Sequence, residues 1–363
     1  MKKNNTKDEI KIPKTKKQKL KLKHKKLFIV VGVLLVLLIS LFIFTGNKKE
    51  DTKKPTVKKP VKESSIKIVN PNSTSRPFAV MINNVGVARP LQSGLQDAYI
   101  MYEMIVEGGI TRYLALFMDT NTERIGSIRS ARHYYLDYAL ENDAIYVHHG
   151  QSPQAQSDFS SLGVDRIVVD NSKTGWRDKT LGVASEHTLF TSIEKLNNGI
   201  GNKRTERNKD LLLNYSADEI SLDKMDGAVV ANHIVIPYSS YSTTSYNYNS
   251  DEKVYYRFVN DKEHVDYVTK KQYTFKNIIT YKVENYTLDD AEGKGRQGIN
   301  NIGSGEGYYI TDGYAEKINW KKECRECQTV YTYQDGKEIT VNDGNTFIQI
   351  QPSNQNLTIE KRG

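Results

Sequence analysis

Apolar residues run without a charge from Leu27 to Phe44, eighteen positions reading LFIVVGVLLVLLISLFIF, with Ser40 the only polar member. As a helix at about 1.5 Å per residue this run is about 27 Å long, enough to cross a hydrocarbon core. Beyond it the pattern changes to that of a folded domain. FAVMIN at 78–83 is a compact apolar run after Pro77 and predicts a buried strand. Residues 99–106 and 111–119 predict a strand pair around Gly108-Gly109, a hairpin signal. Residues 133–142 carry apolar side chains at helical spacing, 144–149 return to a strand, and Ser152 with Pro153 fits the cap and first residue of another helix. A short strand follows at 166–170, and Ser185 is placed to cap a helix running to about Asn197. From about Val229 the texture is β: strands are expected at 229–237, 253–259, 276–283, 307–311, 315–320, 330–333, 338–341 and 346–350, with Asp335-Gly336 and Asp343-Gly344 as turns.

Strands interleaved with helices and then strands alone predict an α/β (or α+β) mixed-sheet domain followed by a smaller β-rich domain. The expected divisions are a basic tail at 1–26, a transmembrane anchor at 27–44, a linker at 45–66, an N-terminal domain at 67–225 and a C-terminal domain at 226–355. The tail holds twelve lysines against Asp8 and Glu9, and Lys25 and Lys26 abut the apolar run. The positive-inside rule then leaves the tail in the cytoplasm and the bulk of the chain outside a single-pass membrane anchor. A cleaved signal peptide would need a shorter apolar region and a small-residue cleavage site, of which Thr45-Gly46 offers little. The linker is rich in Lys, Pro, Ser and Thr and too poor in apolar residues to bury a core. The chain's formal charge of +9 belongs to these segments, because residues 67–363 carry about −5. The basic balance therefore does not indicate a nucleic-acid partner.

The chemistry concentrates between Glu103 and Arg132, where charges sit among apolar runs. Such charges are costly unless paired or bound. Glu103, Glu107, Arg112, Arg129 and Arg132 are read as lining a polar cleft, with Asn83, Arg89, His149, Ser152, Arg177 and His187 as further wall candidates. Arginine forks suit phosphate or carboxylate groups, and Glu103, Glu107 and His187 are the candidates for acid–base chemistry. The competing reading makes these charges buried ion pairs that fix the fold. Cys324 and Cys327 are the only cysteines and form a candidate local disulfide. No metal site is predicted, since His148 and His149 point to opposite faces of one strand. No cofactor is predicted either: the GSGEG run at 303–307 lacks the lysine and helix of a phosphate loop and reads as a turn. The tyrosines of 238–256 are candidates for stacking on sugar rings or for solvated strand faces.

VMINN at 80–84, ARPLQSGLQDAYIMYEMIVEGGITRYLALF at 88–117 and IGSIRSAR at 125–132 resemble the YerB-like lipoprotein family of Gram-positive envelope proteins. The likeness continues through HHGQSPQA at 148–155, WRD at 176–178, GRQGI at 295–299 and DGNTFIQIQP at 343–352. The resemblance implies an extracytoplasmic α/β-type domain followed by a smaller one, with no settled activity. This chain departs from it in having no cysteine near the apolar run to accept a lipid. It also has Ser185-Glu-His-Thr188 where proline, histidine and asparagine are expected, so only His187 carries over. Two functions are in view: binding of a cell-wall glycan or an envelope-assembly partner at an Arg/Glu-lined cleft, or processing of a glycan or phosphodiester by Glu107 and Glu103 with Arg129 and Arg132.

Overall fold

The computed structural model describes residues 66–362. The predicted tail and anchor, and all but the last residue of the linker, lie outside the described residues. Among those described, no helix is long and apolar enough to cross a membrane.

The first run becomes β1 (Phe78–Asn83), all six residues buried. β2 (Ile100–Ile105) and β3 (Thr111–Phe117) form the predicted hairpin and are buried throughout. Strands buried on both faces read as continuous apolar runs, which is why alternation is missing here. α1 (His133–Glu141), β4 (Ile145–His148), α2 (Pro153–Ser161) and β5 (Arg166–Val168) follow as the pattern predicts. Ser152 caps α2, its hydroxyl accepting from the Ala155 N–H at 3.2 Å. α1 lies on β2 and β3 and anchors there through phenol tips: Tyr134 donates to the Ile105 carbonyl at 2.6 Å, and Tyr135 to that of Arg112 at 2.7 Å. Tyrosine fits such sites because its ring packs while its hydroxyl finds a partner.

The predicted helix from Ser185 to Asn197 does not form. Ser185–His187 is one turn of 3-10 helix, Leu189–Thr191 is a strand, and α3 (Ile193–Gly199) starts only at the Ser192 cap. Leu189–Thr191 is extended because it sits between Ile125–Gly126 and Trp176–Arg177 in a small three-stranded sheet, a pairing that local periodicity does not encode.

The predicted strand at 229–237 divides into β6 (Val229–Val230) and β7 (His233–Pro237), which belong to different sheets. β8 (Thr243–Asn249), β9 (Val254–Val259), β10 (Asn277–Val283), β11 (Gly303–Thr311), β12 (Tyr314–Lys322), β13 (Val330–Tyr333), β14 (Thr346–Pro352) and β15 (Thr358–Glu360) complete the larger strands. The glycine-rich run at 303–307 is neither turn nor phosphate loop but the first half of β11. Its glycines admit neighbours. A Cβ at Gly305 would lie 2.9 Å from the Trp320 indole nitrogen, and one at Gly307 would lie 2.4 Å from the Thr280 carbonyl oxygen.

An eleven-stranded mixed sheet runs in the order β6-β12-β11-β10-β14-β2-β3-β1-β4-β5, with β13 on the free stretch of β12. β14 lies at its middle, parallel to β2 on one side and to β10 on the other. The N-terminal and β-rich regions are thus joined edge to edge in one sheet, with α1 and α2 on one face and α3 against Ile167 on the other. Against the other face packs a second sheet built around β9, β8, β7 and β15. Tyr113, Phe275 and Phe347 interlock between the two sheets, with ring centroids 5.6 Å apart for Tyr113–Phe347 and 4.8 Å for Phe275–Phe347. Tyr238, Tyr246 and Tyr255 join this core, which removes them from the sugar-stacking candidates; Tyr241 alone of that group stands out in solvent, 71 % exposed.

Candidate functional site

β1, β4 and β5 are mutually parallel, and the candidate residues gather at or just beyond their C-terminal ends. Open α/β sheets bind ligands at that edge. The GSIRSAR stretch crosses the ends of the strands: Asn83 N–H donates to the Ser127 carbonyl at 2.9 Å, Arg129 N–H to that of Met81 at 3.0 Å, and His149 N–H to that of Arg129 at 3.1 Å. Register then sets Arg112 on β3 directly opposite Asn83 on β1.

The charges separate into three groups. The first is internal. Glu103 is fully buried on the face toward the second sheet; its carboxylate accepts from Arg257 at 2.8 Å, Thr111 at 2.6 Å and Thr244 at 3.0 Å. This placement takes Glu103 out of the catalytic candidates, because no substrate reaches it.

The second group is a clamp. Glu107, in the glycine turn, receives Arg112 at 2.9 Å and the Arg132 Nε at 2.8 Å, with a further Arg132 contact to the same carboxylate. Arg112 and Arg132 keep only 5 % and 8 % of their side-chain surface exposed, so they are sealed rather than open to a ligand. Burial pushes the Glu107 carboxyl upward, but the Arg132 hydrogen bonds and the two guanidinium charges outweigh it and hold it at about 2. Burial and the neighbouring Arg132 charge bring Arg112 down to about 10. An acid held this low is a poor general acid or base at neutral pH. The carboxylate pair offered by the sequence therefore divides into a core ion pair and a clamp.

The third group faces outward. Arg129 donates to the Glu186 carboxylate at 3.1 Å and to its main-chain carbonyl at 3.4 Å. Arg177 donates to the Ser185 carbonyl and, at 3.2 Å, to His149 Nε2. The two arginines thus grip the one-turn helix Ser185–His187 from either side. A guanidinium only donates, so His149 Nε2 accepts and its Nδ1–H points to the Val169 carbonyl, 2.7 Å away. The Asn83 amide likewise donates to His187 Nδ1 at 3.0 Å, leaving His187 Nε2–H toward the Glu186 carboxylate at 3.3 Å. Burial lowers the His187 pKa, with Glu186 and Arg129 pulling in opposite directions. Asn83 is only 2 % exposed and positions His187 rather than meeting a ligand. Arg89 donates to the Asn84 side chain and carbonyl, both at 3.0 Å, closing the end of β1. Ser152 is buried as a helix cap.

Sequence reasoning missed Glu186, which pairs with Arg129, and the internal Arg257, His264 and Gln92. Arg257 donates to His264 Nδ1 at 2.7 Å, the other ring nitrogen meets the Gln92 side-chain oxygen Oε1, and the Gln92 side-chain amide donates to the Asn83 main-chain carbonyl at 2.6 Å. A signal for Arg257 existed: in β9 it alternates inward with Tyr255 and Val259, both fully buried. Among the described residues no group of three or more His, Cys, Asp or Glu is placed to hold a metal ion. Cys324 and Cys327 are joined as a disulfide.

Residues 65–206 match the N-terminal domain, and residues 234–348 the C-terminal domain, of a protein family of unknown function, DUF3048. The chain is 28 % identical over 327 residues to "Putative lipoprotein YerB" of Bacillus subtilis (strain 168), covering 88 % of this chain and 95 % of that protein. The crystal structure of the YerB protein from Bacillus subtilis superposes with a TM-score of 0.67 at 28 % identity, over 79 % of this chain and 94 % of that one. The chain belongs to the YerB-like family. For this YerB-like protein the edge where β1 and β4 end is thus a candidate site on a fold shared with a solved relative.

Proposed function

We propose that this YerB-like chain is a membrane-tethered envelope protein that binds an anionic wall polymer, one bearing phosphate or carboxylate groups, at the Arg129–His149–Arg177 shelf. The lipoprotein designation of its relative supports membrane attachment. In this chain the uncharged run at 27–44, preceded by Lys25 and Lys26, would supply it as a single-pass anchor with the folded part outside.

One observation carries the ligand class. Arg129 and Arg177 spend their ends on the backbone of one exposed turn and on the exposed Glu186, and the Nε–H of each has no partner among the described residues. Of the two, only Arg129 meets a carboxylate, Glu186; Arg177 meets a main-chain carbonyl and His149. A surface with spare guanidinium donors and excess positive charge suits oxyanions. Processing of a glycan by Glu103 and Glu107 gains no support, since one carboxylate is in the core and the other is clamped.

Titration of the full chain in detergent with a soluble glycerol-phosphate oligomer tests the reading, with an uncharged dextran as comparison. The expected result is binding of the phosphate oligomer alone, weakened about tenfold in the Arg129→Ala/Arg177→Ala protein. Unchanged affinity in that variant, or no binding at about 0.1 M salt, sinks the proposal.

A further inference from the structure

The second sheet covers only part of the large sheet's face. Beyond it, β10 to β13 leave a concave surface in which alternate side chains point outward: Glu306, Asn319 and Thr332 lie in register across three strands, as do Ser304, Lys321 and Val330. The groove they form encloses about 630 Å³ and reaches Gln328 beside the disulfide. A smaller hollow of about 210 Å³, lined by Tyr308, Lys317 and Lys282, shares Glu306 with it. At about 4.8 Å per strand the pair spans roughly 14 Å from β13 to β10. The volume falls in the range of ligand sites, and the floor is strand backbone, hence preformed.

We propose that this groove binds a linear polyhydroxylated glycan, at a site separate from the arginine shelf. The lining argues for that occupant. Asn319 and Gln328 each donate and accept in one plane, Ser304 and Thr332 do both from a hydroxyl, and Glu306 accepts; such groups pair with neighbouring hydroxyls of a sugar ring. Tyr308, half-buried, offers a ring face to a pyranose. The charges nearly balance, with Lys282, Lys317 and Lys321 against Glu306 and Glu323, so a phosphate polymer gains little. Val330 is the lone exposed aliphatic side chain of the main groove, too little for an amphipathic helix or a lipid chain. The elongated shape selects a chain of sugars over a single one. The glycines at 305 and 307 let Trp320 and the neighbouring strand β10 come close to β11.

The test uses the full chain in a sugar-free detergent, probed by saturation-transfer NMR and calorimetry with tetramers of β-1,4-linked glucose and of β-1,4-linked N-acetylglucosamine. One tetramer should bind about tenfold more tightly than its monosaccharide. Raising salt from about 0.05 to about 0.5 M should change that affinity by less than about twofold. Asn319→Ala/Thr332→Ala should weaken binding about tenfold, while Arg129→Ala/Arg177→Ala leaves it intact. Val330→Trp, at a position already 41 % exposed, should block the groove without unfolding the protein. Absence of binding by both tetramers, equal affinity for monomer and tetramer, loss of binding in high salt, or unchanged affinity in a folded Val330→Trp protein would each overturn the proposal.

Discussion

Glu103 on β2 and Arg257 on β9 meet at 2.8 Å with no solvent exposure of either side chain, 154 positions apart in sequence. The pair ties the large sheet to the second one. Removing one member strands the other charge in the core, so Glu103→Ala or Arg257→Ala alone should cost about 3–5 kcal/mol. Replacing both with apolar residues, as in Glu103→Leu/Arg257→Met, should recover much of that loss. Denaturant unfolding of the three proteins measures it; a double variant no better than the worse single one would contradict this account.

The clamp on Glu107 has a pH signature. Its folded pKa of about 2 lies below the ordinary glutamate value of about 4.3, so the folded state favours the ionised form. The contribution is present above about pH 4.3 and is lost as pH falls toward 2. It amounts to about 2 kcal/mol after allowance for the part of the side chain that remains wet. Glu107→Gln should lower stability at neutral pH and flatten the acid limb of the stability profile over that window. An acid limb identical to that of the parent protein would mean the clamp contributes nothing.

His187 reports on the outward group. Burial and Arg129 lower its pKa while Glu186 raises it. Arg129→Ala should therefore move the His187 titration upward and Glu186→Gln should move it downward. Imidazole resonances followed through a pH series give both shifts, and a phosphate oligomer bound at Arg129 should move the same resonance. A titration indifferent to both substitutions would place His187 outside the site.

The Cys324–Cys327 bridge closes a very short loop. Cys324→Ser/Cys327→Ser should cost only about 2 kcal/mol by loop closure. The loop also carries Arg325, which pairs with Asp137 of α1 at 2.7 Å and Asp158 of α2 at 2.8 Å. Thermal unfolding with and without reductant checks the size of the effect. A loss comparable to that of a buried ion pair would show that the bridge holds the helix layer in place.

The residues that announced themselves in the sequence did so through backbone pattern. FAVMIN, the glycine-centred hairpin and the Ser152-Pro153 helix start each encode a local geometry, and each forms with nearly its expected bounds. The arginines were visible as a cluster because they fall within a short stretch. Which of them face outward was not legible, since that depends on partners brought by other elements. Arg112 and Arg132 are sealed by Glu107, whereas Arg129 meets a carboxylate on a turn that the sequence pattern assigned to a helix. The strand at Leu189–Thr191 was hidden for the same reason: its partners lie at 125–126 and 176–177, and no local period reveals them.

The position of β14 bears on how the chain reaches its folded state. Until residues near 350 are available, β2 and β10 have open edges and no shared neighbour, so an emerging N-terminal half exposes a long apolar rim. Folding of the two family segments is therefore expected to be concerted, and a chain cut between them should precipitate rather than yield an autonomous half.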